Sequence, residues 1–219
     1  MLDYIEVNKE LYDNLAEEYK KRRENKSPFE ESAEYLGNCV LKHVKKEVGR
    51  SINVVEIGPG AGQLLHYFEK NGCRTIGIEL SEKMAKIAKE YSPNSIIINS
   101  DTQKVDLLEE QFHLVYMGAI IHLMPKSDAD KLLKKVWSWL ENDGIIFINT
   151  TCNNASIEGF FEKKDYGISK IRYRRYWTEN DFELFVKSSG FSLIEKLYTN
   201  ECDREKKWVA LICKKEGFA

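Results

Sequence analysis

The sequence predicts an α/β fold in which a mostly parallel sheet is covered by helices on both faces. Three observations carry that expectation. Short apolar runs alternate with longer segments of helical periodicity, with no linker, internal repeat or low-complexity tract between them. Three successive runs end in a carboxylate, at Glu56, Glu79 and Asp101. Between the first run and the helical pattern behind it lies Gly58-Pro59-Gly60-Ala61-Gly62, a loop with glycine at alternate positions.

Two helical segments open the chain, over about 8–23 and 29–48. In the first, Tyr12, Ala16 and Tyr19 fall at i, i+4 and i+7 and line one face. The run Lys20-Lys21-Arg22-Arg23 suits a solvated helix C-terminus, where cations complement the dipole. Strands are expected near 53–57, 75–79, 95–99, 112–117 and 144–150, with helices in the intervals. The helix over 127–140 places Leu132, Leu133, Val136, Trp137 and Leu140 on an apolar face, so Trp137 and Trp139 read as packing residues. Thr178-Glu179-Asn180-Asp181 resembles a capping box with Asp in place of Glu. The helix it opens carries Phe182, Phe185 and Val186 and stops at Gly190, a natural C′ residue. The segments 191–198 and 207–213 then read as a terminal antiparallel pair.

The chain has 219 residues, 42% of them apolar, and a net charge of −2, which suits one α/β domain with a full core. Such a balance supplies no general field for nucleic acid. No basic region followed by an apolar core opens the chain, so no signal peptide is expected. No apolar run approaches the ~20 residues of a membrane span. Cys39, Cys73, Cys152, Cys202 and Cys213 are odd in number and scattered, without a CxxC pair. They read as reduced thiols of a cytoplasmic protein, and no metal site is expected.

The glycine loop carries the chemistry. A turn without Cβ atoms lets the backbone approach a ligand closely, and the helix N-terminus behind it presents unpaired N–H groups. That is a site for a nucleotide-like cofactor. The dinucleotide fingerprint would need a third glycine where Gln63 stands, which disfavours a nicotinamide dehydrogenase. Glu79 lies roughly 20 positions beyond the loop at a strand's end, a place that suits hydrogen bonds to both ribose hydroxyls. The plainer alternative is that it helps start the next helix, for which Ser81 is a plausible N-cap.

The G-x-G-x-G spacing, with Glu56 two residues ahead of it, resembles motif I of the class I S-adenosylmethionine-dependent methyltransferases. Glu79 and Asp101 match the two acidic positions that follow, and the resemblance covers about 30–191. It implies a Rossmann-like fold with a seven-stranded, mostly parallel sheet of order 3-2-1-4-5-7-6. The implied cofactor is S-adenosyl-L-methionine, with S-adenosyl-L-homocysteine as product. The implied cofactor set is Glu56, Gly58, Gly60, Gly62, Glu79, Leu80, Asp101, Thr102 and Met117, with Asp101 on the adenine amino group and Thr102 beside the ring. The organisation that follows is one domain over 1–219: helices capping the site over 1–48, a cofactor core over 52–150, a lid over 152–177, and a terminal helix and hairpin over 178–219.

Tyr12-Asp13-Asn14-Leu15-Ala16-Glu17-Glu18-Tyr19 is similar to the Y-D-x-x-A-x-x-Y helix of many small-molecule members, of the type 11 and 25 branches, which folds over the methyl donor. An ordinary amphipathic docking helix is the alternative. The stretch 153–177, about 25 residues, is long for a plain connection and suits a functional lid. Its end, Arg172-Tyr173-Arg174-Arg175-Tyr176-Trp177, interleaves bases with aromatics. Arg172, Tyr173 and Arg174, with Tyr12, are the candidate substrate contacts, an arginine pairing with a carboxylate or phosphate. The alternatives are solvated arginines or an RNA-binding patch.

Family members often carry His on the pocket floor after the fourth strand, where this chain has His122. An imidazole suits removal of a proton from an acceptor at neutral pH, so His122, with Tyr19, is the catalytic candidate. His43 and His66 lie in helical patterns away from the site. The [DN]-P-P-[YF] motif of amide and adenine methylation is absent, and His113 stands where the family usually has Asp. The expected function is methyl transfer to O or N of a small metabolite by a monomer or homodimer, without nucleic acid or membrane. The rivals are an RNA or protein methyltransferase acting through 172–177, and a non-catalytic module that binds the cofactor.

Overall fold

The structure, a computed structural model, describes residues 3–24, 29–44, 49–163, 169–200 and 207–217. Helices α1 (Tyr4–Glu24) and α2 (Phe29–Leu41) precede the first strand. Then follow β1 (Asn53–Ile57), α3 (Gln63–Lys70), β2 (Arg74–Glu79), α4 (Glu82–Tyr91), β3 (Ile96–Asn99), β4 (Phe112–Met117), α5 (Lys126–Trp139) and β5 (Leu140–Thr151). The chain continues through β6 (Ile157–Lys163), β7 (Lys170–Tyr176), α6 (Glu179–Ser188), β8 (Phe191–Asn200) and β9 (Lys207–Lys215).

Seven strands form one sheet in the order β3-β2-β1-β4-β5-β9-β8. The pairs among β1 to β5 are parallel, and β9 runs antiparallel to both β5 and β8. Counted along the chain within that sheet, this is the expected 3-2-1-4-5-7-6. The fold is Rossmann-like.

The alternation of side chains along a strand divides the core in two. On one face Val55, Val115 and Ile146 join Leu132, Val136, Phe182 and Val186 of α5 and α6. On the other, Val54, Leu114 and Phe147 join Val40, Leu64 and Phe68 of α2 and α3. Each such side chain, fully buried, contributes about 1.5–3 kcal/mol relative to exposure. A third cluster unites Leu11, Leu15 and Ala16 of α1 with Ala61, Met84 and Ile87, which seats α1 over the glycine loop and α4.

Local signals act as the residue types dictate. Thr178 Oγ1 accepts from the Asp181 N–H at 3.1 Å and starts α6, and Gly190 ends it with φ of +89°. Ser81 Oγ accepts from the Met84 N–H at 3.1 Å and starts α4. Trp139 is buried, while Trp137 lies over Lys215 and donates from Nε1 to the Glu216 carbonyl at 3.1 Å.

Several expectations needed revision. Helix α1 begins at Tyr4, four residues before position 8, because Asp3 Oδ1 accepts the Ile5 N–H at 2.9 Å. Leu140 leaves the expected helix and pairs with Phe112 as the first residue of β5. Helix α2 ends at Leu41; the remainder of its expected span at 45–48, like Cys202, lies outside the described residues. Most consequentially, the stretch 153–177 contains an antiparallel hairpin, β6 with β7, in which Phe160 faces Tyr173 and Glu158 faces Arg175. Among the described residues no helix is long and apolar enough to cross a membrane.

Candidate active site

Strand β1 delivers the chain into the glycine loop at the carboxyl edge of the parallel strands. Gly58 takes φ of +70° and donates its N–H to the Ile78 carbonyl at 2.8 Å, and a Cβ there would lie 2.2 Å from the Ile120 side chain. Gly60 has φ of +55°, and a Cβ on it would meet nothing within 4 Å, so its face is open to the cleft. Gly62 lies behind the wall instead, as the N-cap of α3, where a Cβ would lie 3.0 Å from the Ala88 backbone.

Glu79, at the end of β2, is held by three backbone donors. Gly60 N–H reaches its Oε2 at 3.1 Å, Ser81 N–H its Oε1 at 2.9 Å, and the Leu80 N–H also donates to the carboxylate. A carboxylate offers about four lone-pair sites, so acceptor capacity remains. Burial, against the pull of these donors and with the added push of Asp13, pushes its pKa up to about 7. At the next strand end Asp101 Oδ1 accepts the Gln103 N–H at 3.0 Å, leading into a 3₁₀ turn at Thr102–Lys104.

These residues line a cleft with about 970 Å³ of free space counted out to solvent at its mouth. Gly58, Gly60, Glu79, Leu80, Asp101 and Thr102 form one end. Tyr4, Asn8, Tyr12 and Tyr19 of α1 roof the other, over Ala119, Ile120, Leu123 and Met124. Helix α1 is pinned at three levels. Tyr4 OH donates to Asp128 Oδ2 at 2.8 Å. Asn8 donates from Nδ2 to the Leu123 carbonyl at 2.8 Å and accepts the Tyr173 N–H at 3.0 Å. Asp13 Oδ1 accepts from Ser81 Oγ at 2.6 Å and from the Lys83 N–H at 3.2 Å. The phenol of Tyr4 is driven well above its ordinary pKa by burial and by Asp128, so it stays protonated.

Seven of the residues expected at the site do not line the cleft, Gly62 among them. Glu56 is buried beneath the loop, where it accepts the Leu65 backbone N–H while its Oε2 has no hydrogen-bond partner. Burial first, then the neighbouring Glu79, pushes its acid up to about 8. Met117 belongs to the core shared with Leu132 and Trp177, because the last side chain of β4 points to the α5 and α6 face. His122 is only 2% exposed. It sits in a 3₁₀ turn whose Ile120 and Leu123 flanks face the cleft while its own ring turns inward. There a ring nitrogen shares a hydrogen bond with Thr150 Oγ1 at 3.2 Å, and the ring lies 5.8 Å from that of Trp208.

The basic-aromatic run of β7 is likewise turned to internal duty. Tyr173 braces α1, with its ring 5.3 Å from Tyr4 and 5.4 Å from Phe160. Arg174 is buried, donates to Thr151 Oγ1 and covers the Tyr176 ring at 5.1 Å. Arg175 pairs with Glu158 at 2.6 Å and stacks on Trp177 at 4.1 Å. Arg172 stands half-buried opposite Phe161 in the hairpin. His113 is structural, accepting the Asn53 N–H on Nδ1 at 3.0 Å, and His43 pairs with Glu195 at 2.8 Å.

Tyr4, Asn8 and Ala119 escaped the sequence reading. The first two had a signal, since Tyr4, Asn8 and Tyr12 continue one helical face at i, i+4 and i+8. Ala119 had none: it takes φ of +59° without being glycine, held by its N–H on Asn149 Oδ1 at 2.6 Å.

Comparison with known proteins agrees with this architecture. Residues 55–148 match the family described as methyltransferase domain. An uncharacterized protein of Methanocaldococcus jannaschii is 26% identical over 216 residues, covering 88% of this chain and 79% of that one. A shorter match, 33% identical over 64 residues, is to the ribosomal RNA small subunit methyltransferase A of Streptococcus thermophilus, covering 28% of this chain and 22% of that one. Among solved structures, the 1,6-didemethyltoxoflavin-N1-methyltransferase of Burkholderia thailandensis, with bound 1,6-didemethyltoxoflavin and S-adenosylhomocysteine, superposes with a TM-score of 0.73 at 15% identity, over 99% of this chain and 92% of that one. Residues 55–148 thus resemble a methyltransferase domain, and the fold of the chain is similar to that of the Burkholderia thailandensis methyltransferase.

Proposed function

We propose that this chain moves a methyl group from S-adenosylmethionine to O or N of a small molecule held beneath α1. The cofactor end of the cleft fits the donor. Glu79 keeps acceptor capacity toward the cleft for a ribose hydroxyl, Gly60 leaves an open face beside it, and Asp101 and Thr102 lie one strand further along for the base. The cofactor supplies an electrophilic sulfonium methyl. The chain supplies alignment and exclusion of water, the main levers for an in-line displacement. No histidine lines the cleft, so proton removal is not assigned to His122; Tyr12 and Tyr19 are the roof hydroxyls facing the acceptor end.

The observation that carries the small-molecule reading is the roof. Helix α1 crosses the cleft and is tied to the floor through Asn8 and to the hairpin through Tyr173, so the acceptor must fit an enclosed space. Two of the three arginines that suggested RNA, Arg174 and Arg175, are occupied within the protein, which speaks against a stacking platform there.

Isothermal titration tests the cofactor, and turnover to S-adenosylhomocysteine with metabolite pools and with RNA tests the acceptor. Glu79→Ala should weaken S-adenosylmethionine binding by about 1.5–3 kcal/mol, the weight of hydrogen bonds to a charged group, in a folded protein. Unchanged affinity in a folded variant would remove Glu79 from the site. Turnover with RNA alone would transfer the function to the rival class, and binding without any turnover would favour the non-catalytic module.

A further inference from the structure

The charge of the cleft restricts the acceptor, an inference that rests on the methyl-transfer reading above. We infer that the acceptor is a flat apolar or aromatic molecule, neutral or cationic, and that the site discriminates against anions. The sequence had suggested the opposite, an arginine pairing with a carboxylate or phosphate. Among the described lining residues the only charged side chains are Glu79 and Asp101; no Lys, Arg or His is present. The acceptor end is walled by the rings of Tyr4, Tyr12 and Tyr19 above and by Ile120, Leu123 and Met124 below.

Four cations on neighbouring elements are engaged elsewhere. Arg174 donates to Thr151 and Arg175 pairs with Glu158, while Lys131 pairs with Asp128 and Lys170 with Glu10. Two polar groups of the roof are also engaged. Asn8 uses its amide on Leu123 and Tyr173, and Tyr4 gives its proton to Asp128. An anion entering the acceptor end would exchange its hydration for apolar walls, with no cationic side chain among the described lining residues to compensate. A flat neutral ring would lose little solvation and gain contact with the tyrosine faces. An ammonium would gain in addition from the ring quadrupoles.

Three probes that share one bicyclic ring separate the cases: indole, tryptamine and indole-3-acetate, neutral, cationic and anionic at pH 7.5. Titration of each into wild-type protein saturated with S-adenosylhomocysteine should give indole and tryptamine dissociation constants at least tenfold below that of indole-3-acetate. Tyr12→Arg, on the rim of the roof, should reverse the order by bringing in a cation, with indole-3-acetate gaining at least tenfold relative to tryptamine. Indole-3-acetate binding the wild type as tightly as tryptamine, or no binding by any of the three, overturns the inference. S-adenosylhomocysteine binding is measured first. Its failure would bring down the methyl-transfer reading, whereas its success with anion preference would bring down the acceptor class alone.

Discussion

Glu56 and Glu79 are acids that burial makes harder to ionise. Both are buried carboxyls whose proton affinity rises from the ordinary 4.5, to about 8 and about 7. The folded protein therefore holds more protons than the unfolded chain between roughly pH 5 and pH 8, and this pair's contribution to stability is lost as pH rises through that window. Glu56→Gln keeps an acceptor for the Leu65 N–H but cannot ionise. Its stability relative to wild type should grow between pH 5 and pH 8, by on the order of 2 kcal/mol. Urea midpoints at the two pH values measure this, and a constant or shrinking difference would place the ionisation elsewhere. His122 illustrates the converse. With its ring turned into the core on Thr150, His122→Gln should lower the melting temperature, leave cofactor affinity unchanged, and leave the pH profile of turnover as in wild type. Loss of an acid limb near the imidazole pKa would restore it as a base.

At the scale of elements, α1 is the removable part of the site. Asn8 makes two buried hydrogen bonds that connect α1 to the floor and to the hairpin. Asn8→Ala would leave the Leu123 carbonyl and the Tyr173 N–H buried without that partner, at about 1–3 kcal/mol each. Hydrogen exchange should then speed up in α1, β6 and β7 while β1, β4 and β5 stay protected, and KM for the acceptor should rise. Uniform loss of protection across the sheet would mean that α1 is integral to the core. This division also explains what was legible in the sequence. Strand ends, the glycine loop and the Thr178 cap depend on local chemistry, so they could be read from neighbouring residues. The hairpin could not, because Tyr173 and Arg174 acquire their roles from α1 and from Thr151, partners distant in the chain. Alternating bases and aromatics look the same whether they face solvent or serve as internal struts. His122 was misjudged for a related reason: one 3₁₀ turn decides which of three successive side chains faces the cleft. The cofactor end was thus more legible than the acceptor end, since it is built from strand termini and the acceptor end from tertiary packing.

Over the whole molecule, the cleft is where two of the packed clusters meet: the sheet provides the edge, Met84 of α4 and Leu132 of α5 part of the walls, and α1 the cover. A ligand that binds only this assembled arrangement stabilises all of it by mass action. At a hundred times its dissociation constant the gain is about 2.7 kcal/mol. For a chain of 219 residues, each kcal/mol raises the melting temperature by roughly 2–4 °C, so S-adenosylhomocysteine at that concentration should raise it by about 5–10 °C. NAD at equal concentration should produce no shift, because Gln63 stands where the dinucleotide turn needs glycine. The Glu79→Ala variant supplies the internal control. A loss of 1.5–3 kcal/mol in affinity is a rise of roughly 10–150-fold in dissociation constant, so the same ligand concentration would leave about a tenth to a half of the shift. A full shift in that variant, or an equal shift with NAD, would show that the ligand responds to the general α/β edge and not to the carboxylate that closes β2.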